Sequence, residues 1–146
     1  MREILFRGQT RKFGEKVDAG GKPLSGKWVY GGVLQGSGDH SVIYGDGILC
    51  DHDDVWRTVE KYPVHSETVG QYTELRDCDG NYIFEGDIIK FNDSWACRIG
   101  IVRFDEGRFL VYSPRDCCQS YGLFEILRRD DAAQVIGNVY DNPELI

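Results

Sequence analysis

Apolar and polar residues alternate in short runs along most of this chain, and turns rich in glycine separate the runs. Alternation with a period of two places successive side chains on opposite faces of a strand, so these runs predict β-strands. The strands predicted in the first half are Ile4–Gly8, Lys27–Leu34, Ser41–Tyr44, Gly47–Cys50 and Val55–Tyr62, with Glu67–Tyr72 as extended chain. Turn signals such as Gln35–Asp39 favour an antiparallel meander for this part of the chain.

A second group of strands follows the turn Asp77-Cys-Asp-Gly-Asn81, where Asp-Gly supplies the positive φ of a tight hairpin. The predicted strands are Tyr82–Phe84, Ile88–Phe91, Ala96–Phe104, Arg108–Tyr112 and Gln134–Tyr140, and the predicted helix is Tyr121–Ala133. Short strands that follow a diverging turn at Glu85–Asp87 are typical of a small SH3-like barrel. We expect the helix to cover the open end of this barrel.

The pattern therefore predicts a mainly β, or β-rich α+β, fold: an N-terminal antiparallel meander, a small SH3-like barrel and one short helix near the C-terminus. The predicted subdomains are residues 1–72 and 73–146. We expect them to form one compact unit, since 146 residues suit one ordinary domain. The polar, glycine-rich stretch Gln9–Gly26 is predicted to be a loop.

Composition narrows the class of protein. No apolar run approaches the roughly 18 residues of a membrane span, and the charged start Met1–Gly8 lacks the apolar core of a secretory signal. We therefore expect a soluble, cytoplasmic protein with no membrane partner. The five cysteines (Cys50, Cys78, Cys97, Cys117 and Cys118) contain no CxxC pair and predict free thiols.

Asp51-His-Asp-Asp54 is the densest group of potential metal ligands, and carboxylates with a histidine suit a divalent cation. On a strand, however, Asp51 and Asp53 point to one face while His52 and Asp54 point to the other. A solvated polar turn between two strands is therefore the favoured interpretation. The alternative is a metal-dependent hydrolase, which predicts a bound divalent ion that is lost on His52→Ala.

A possible nucleic-acid interface lies among the strands of the second half. Its candidate residues are Lys90, Trp95, Arg98, Arg103 and Arg108, because aromatic faces can stack bases while Lys and Arg meet phosphates. The formal net charge of -7 opposes this function, since nucleic-acid affinity comes mainly from neutralising phosphates. The favoured interpretation is that Phe91, Phe104 and Tyr112 fill a core while the basic residues face outward.

Several blocks of the sequence, in order, resemble the YopX-type family of proteins, encoded mainly by bacteriophages and prophages of Gram-positive bacteria. The blocks are Arg2–Gly8, Trp28–Gly31, Glu67-Thr-Val-Gly-Gln-Tyr72, Tyr82-Ile-Phe-Glu-Gly-Asp-Ile-Ile89 and Val135–Leu145. The resemblance implies a mostly β fold with an SH3-like part and a phage or prophage origin. It implies no activity, because the family is functionally uncharacterised. Gln9–Gly26, Asp51–Asp54 and the Cys117-Cys118 loop do not align with the family motifs.

No catalytic constellation and no cofactor signature are recognisable, so no catalytic residue and no cofactor are predicted. The favoured function is a non-enzymatic accessory protein that binds a host or phage protein, because a small β scaffold with a net negative charge suits partners with basic patches. Nucleic-acid binding and metal-dependent hydrolysis are the alternatives, and homo-oligomerisation is left open.

Overall fold

A computed structural model describes residues 4–11, 26–36, 41–51, 54–115 and 119–146; for 45–51 and 54–60 it describes the backbone only. Its elements confirm the mainly β prediction, with two antiparallel sheets and one α-helix in the described part of the chain. Residue contacts divide the chain into a first unit, Met1–Gln71, and a second unit, Tyr72–Ile146. Of the helices that are described, none has the length and apolar character needed to cross a membrane.

The first unit is an antiparallel meander. Its strands are β1 (Phe6–Gln9), β2 (Trp28–Gln35), β3 (Ser41–Asp51) and β4 (Asp54–Val64), followed by a 3-10 turn at Ser66–Thr68. They hydrogen-bond in the order β4-β3-β2-β1, and the first residues of β5 (Gly70–Arg76) pair with β1. The two strands predicted at Ser41–Tyr44 and Gly47–Cys50 are one continuous strand, because β3 pairs with β4 over its whole length.

Hydrogen bonds of Thr68 determine the conformation of the first part of the Glu67–Tyr72 block. Thr68 is buried; its hydroxyl accepts a hydrogen bond from the Gln9 backbone N–H (2.9 Å) and donates one to the His65 carbonyl (2.7 Å). The His65 backbone N–H donates to the Gln9 carbonyl, so the turn is bound to β1. The block is therefore extended only from Val69 onward, and its first two residues belong to the 3-10 turn.

The second unit contains the rest of β5 and six further strands. These are β6 (Tyr82–Phe84), β7 (Asp87–Asn92), β8 (Cys97–Asp105), β9 (Arg108–Ser113), β10 (Gln119–Gly122) and β11 (Gln134–Asn138), with helix α1 (Leu123–Arg129) between the last two and a 3-10 turn at Pro143–Leu145. β5 pairs with β6, and the larger sheet has the order β10-β9-β8-β7-β11.

The strands predicted to form a small SH3-like barrel form an antiparallel sheet that is not closed into a barrel. β10 and β11 are the two edges of an open sheet, and within the described residues they do not pair with each other. Helix α1 connects them and contributes Leu123 and Ile126 to the buried cluster. Apolar burial by a helix thus takes the place of pairing between the two edge strands.

The helix is also shorter than predicted. Residues Gln119–Gly122 form β10, whose pairing with β9 places Gln119 opposite Ser113 and Tyr121 opposite Val111. The extended backbone of Gly122 allows α1 to begin at Leu123. The helix ends at Arg129, and Asp130 is again extended.

The core of the second unit lies between its strands and α1. It consists of Ile83, Ile89, Phe91, Val102, Val111, Leu123, Ile126 and Ala133. Ile89 and Phe91, alternate residues of β7, enter this cluster together with Val102 of β8, as the period-two geometry of a strand allows. The same packing brings α1 close to the end of β7, where the candidate site lies.

Candidate functional site

Two of the four candidate metal ligands, Asp51 and Asp54, lie at the ends of β3 and β4. They are opposite each other in the strand register, while His52 and Asp53 lie outside the described residues. The metal site therefore stays a prediction. Among the described residues, no group of three or more His, Cys, Asp or Glu side chains is arranged to hold a metal ion.

The cysteine predictions are tested only in part. Cys78 and Cys97 are exposed free thiols. Cys117 and Cys118, like most of the Gln9–Gly26 stretch, lie outside the described residues.

The five candidate nucleic-acid-binding residues are not gathered on one surface. Strand register places Lys90 opposite Ile99 and Arg103 opposite Leu110, so Lys90, Arg103 and Arg108 share one face of the sheet. Arg98 lies opposite Phe91, on the other face. Trp95 is in the loop between β7 and β8.

Two of the three basic residues on the shared face, Arg103 and Arg108, have acidic or aromatic neighbours. Arg108 lies opposite Asp105 and 3.9 Å from the Glu106 carboxylate, and the Arg103 guanidinium stacks over the Tyr112 ring at 5.0 Å. These neighbours reduce the positive potential available to a phosphate chain. Of the three residues that the core interpretation places inside, Phe91 is buried in the core, whereas Phe104 is 53% exposed and Tyr112 lies on the same face as Arg103.

Trp95 and Arg98, in contrast, meet in a cleft of about 720 Å³ in the second unit. The end of β7 and the loop after it form one side of this cleft, which we call the Trp95 cleft. The Trp95 side chain is 90% exposed, the largest exposure among the large apolar side chains that the structure describes. The cleft size falls in the range of about 300–1,000 Å³ that is typical of ligand pockets.

The carboxylate of Asp93 fixes the loop that carries Trp95. Oδ1 accepts hydrogen bonds from the backbone N–H of Trp95 and of Ala96, both at 2.7 Å, and Oδ2 accepts one from Arg98 Nε at 2.7 Å. The bonds from Trp95, Arg98 and Ala96 lower the pKa of Asp93. The loop is therefore held by an ionised carboxylate, and the Arg98 charge is paired within the protein.

The other side of the Trp95 cleft is formed by β10, α1 and the residue after it. Tyr121 of β10 packs edge to face on Phe91, with ring centroids 5.3 Å apart, and its hydroxyl donates to Gln119 Oε1 at 2.6 Å. Glu125 and Arg129 of α1 are exposed and line the cleft. The cleft thus combines three aromatic side chains, Phe91, Trp95 and Tyr121, with charges of both signs.

Asp130 joins the two sides of the cleft. Its Oδ2 accepts a hydrogen bond from the Asn92 backbone N–H at 2.5 Å, and its Oδ1 accepts one from Ala132 N–H at 3.0 Å. The bond from Asn92 is the main cause that lowers the pKa of Asp130, although burial opposes it. Because the pKa values of Asp93 and Asp130 are both lowered, the two carboxylates stay ionised at neutral pH. Their hydrogen bonds give the cleft a preformed shape and a stable charge pattern suited to binding.

Comparison with known proteins supports the sequence resemblance. The chain is similar to a crystal structure of protein EF1440 from Enterococcus faecalis, with 28% sequence identity, 69% of this chain and 74% of that chain covered, and a TM-score of 0.44. No curated protein matches the chain. The family model for "YopX protein" matches residues 24–146, which include the whole of the Trp95 cleft. The chain therefore belongs to the YopX family.

Proposed function

We propose that this YopX family member is a non-enzymatic, phage or prophage accessory protein that binds a protein of the host cell or of the phage. The Trp95 cleft is the docking site for a segment of that partner. One observation carries the proposal: a tryptophan that is 90% exposed stands on a loop ordered by three hydrogen bonds to Asp93. The strand order of the second unit is compatible with the SH3-like arrangement that the family resemblance implies.

The energetics of binding favour this role for Trp95. An indole that leaves water on binding contributes a large apolar area, and tryptophan is enriched among the residues that dominate interface energies. The Asp93 bonds reduce the conformational entropy that the loop would otherwise lose on binding. A preformed cleft with an exposed anchor is thus suited to capture one extended segment of a protein.

Binding of single-stranded nucleic acid is the second candidate, because Trp95 and Tyr121 line the same cleft as Arg98 and Arg129. The cleft carboxylates oppose a phosphate chain, and the Asp93 carboxylate already pairs with Arg98. Salt-sensitive binding of a single-stranded oligonucleotide, lost in Trp95→Ala, would favour this candidate over the first.

Photo-cross-linking from position 95 tests the proposal directly. A tagged protein with p-benzoylphenylalanine in place of Trp95 is produced in a Gram-positive host, irradiated and purified with and without nuclease. Mass spectrometry then identifies the attached molecule. We expect one predominant cross-linked protein, attached through one segment and unaffected by nuclease.

The matched control places the same photoreactive group at Phe124. This side chain is 54% exposed on α1, is covered on one side by Arg128 at 5.8 Å and does not line the cleft. It is expected to give no protein in common with position 95. Identical products from both positions, or nucleic acid alone from position 95, would contradict the proposal; a second copy of this chain would identify the partner as itself.

A further inference from the structure

We propose that the segment bound in the Trp95 cleft carries a lysine or arginine side chain, whose cation lies over the Trp95 indole and beside the Glu125 carboxylate. This inference rests on the proposed function and specifies the chemistry of the partner. It excludes both a purely apolar segment and an acidic one as the preferred occupant.

Charge in the cleft is the first argument. The lining contains three carboxylates, Asp93, Glu125 and Asp130, and two guanidinium groups, Arg98 and Arg129. The Asp93–Arg98 pair, with 2.7 Å between Nε and Oδ2, neutralises one charge of each sign. Glu125 and Asp130 then face Arg129 alone, in a chain whose formal net charge is -7. An incoming cation is attracted, and an incoming carboxylate or phosphate is repelled.

The environment of Asp130 strengthens this argument. Its two oxygens accept hydrogen bonds from backbone N–H groups, which carry no net charge and leave the carboxylate negative. Glu125 is exposed on the same side of the cleft. The negative potential on the α1 side therefore remains available to a ligand.

The pattern of ring contacts within the chain is the second, independent argument. Arginine side chains cover aromatic rings at several places: Arg7 over Trp28 at 4.7 Å, Arg76 over Tyr82 at 4.4 Å, Arg103 over Tyr112 at 5.0 Å and Arg128 over Phe124 at 5.8 Å. Among the described residues, no cation lies over Trp95. Tryptophan offers the best face for a cation–π contact, and Trp95 is the most exposed ring of the described residues, so its face is available to a cation supplied by a ligand.

A peptide selection tests the inference. A yeast-displayed library of random 12-residue peptides is selected on the wild-type protein, with counter-selection on Trp95→Ala. Enrichment of lysine or arginine at one position is expected. In the best peptide, replacement of that arginine by citrulline keeps the shape but removes the charge, and is expected to weaken binding about tenfold.

Glu125→Gln is expected to weaken binding of the arginine peptide about fivefold and to leave binding of the citrulline peptide unchanged. Glu144 is exposed and does not line the cleft, so the control variant Glu144→Gln should change the binding of neither peptide. Trp95-dependent peptides without an enriched cation, or equal binding of citrulline and arginine, would overturn this inference and leave the proposed function standing. Failure to select any Trp95-dependent peptide would overturn the proposed function itself.

Discussion

The Asp77 carboxylate is a central connection of the second unit, and its replacement by asparagine should destabilise that unit. Oδ1 accepts hydrogen bonds from the backbone N–H of Asp79 (3.0 Å) and Asn81 (2.8 Å). Oδ2 accepts bonds from Asn81 Nδ2 and from the Val135 backbone N–H, both at 3.0 Å. One side chain thus closes the β5–β6 turn and holds the start of β11.

The size of the effect follows from these four bonds. In Asp77→Asn the amide oxygen replaces Oδ1 and keeps two bonds, which weaken by about 1 kcal/mol in total because the acceptor loses its charge. The new amide NH₂ faces the Val135 N–H, and a donor left without an acceptor costs about 1–3 kcal/mol. Asn81 is exposed and turns to water. We expect a loss of about 3 kcal/mol in the free energy of unfolding.

The dependence on pH has a defined sign. Burial raises the pKa of Asp77, but the bonds from Asn81, Val135 and Asp79 outweigh it, and the pKa is lowered. The stabilisation is therefore complete above the pKa of about 3.9 in the unfolded chain, and it is lost as the pH falls through the lower folded value. The difference between wild type and Asp77→Asn should be constant near neutral pH and shrink in that acidic range.

Urea unfolding followed by circular dichroism measures this difference, and hydrogen exchange of the Val135 amide locates it. Asp79→Asn is the matched control, since Asp79 is exposed and its carboxylate accepts one bond, from Gln134 Nε2 at 2.7 Å, that an amide oxygen can also accept. Ordinary surface substitutions change the free energy of unfolding by up to about 0.5 kcal/mol. If the free energy of unfolding of Asp77→Asn differs from that of this control by less than this amount, the reasoning fails.

Three further predictions concern the turns, the sheet and the cleft loop. In urea unfolding, Gly86→Ala should lower the free energy of unfolding by about 2 kcal/mol and Gly107→Ala by about 1 kcal/mol. Both glycines have positive φ, but only at Gly86 would a Cβ also meet the Tyr140 ring, at 3.1 Å. Equal losses for the two variants would refute this reasoning. Gly100→Ala should lower the free energy of unfolding by about 2 kcal/mol, because a Cβ there would lie 2.8 Å from the Tyr112 carbonyl oxygen. An unchanged urea midpoint would contradict the close packing of β8 on β9 at this position. The Trp95 backbone amide should lose its protection from hydrogen exchange as the pH falls through the lowered pKa of Asp93, because the protonated carboxyl is a weaker acceptor. If the amide stays protected in Asp93→Ala, the Asp93 carboxylate does not hold the loop.

Local pattern located most of the second unit. The predicted strands Ile88–Phe91, Ala96–Phe104 and Arg108–Tyr112 correspond to β7, β8 and β9, because each is a short run rich in β-branched and aromatic residues between turn signals. Both faces of β7 are buried at its start, where Ile88 and Ile89 are fully covered. The pattern does not predict β10, which is short and mostly polar, and only its pairing with β9 makes it a strand. Such pairing has no local signature.

The residues of the Trp95 cleft also fall into two groups, those that local sequence predicts and those that only tertiary packing brings there. The mixture of aromatic and basic side chains predicts Trp95 and Arg98 as binding residues, and Asp93 is a residue type that favours turns. Glu125, Arg129 and Asp130 come to the cleft only because α1 packs on the core through Leu123 and Ile126. A contact between segments this far apart in sequence cannot be read from either segment alone.

The pairing of β11 with β7 has a consequence for synthesis on the ribosome. Gln134 lies opposite Lys90 and Asn138 opposite Asp87, so one edge of the larger sheet cannot form until a segment made much later has left the exit tunnel. Until then β7 presents an unpaired edge, which is open to pairing with other nascent chains. We therefore expect the second unit to fold late, with a rate set by this long-range closure, and ribosome-stalled chains that stop before Gln134 to be sensitive to protease.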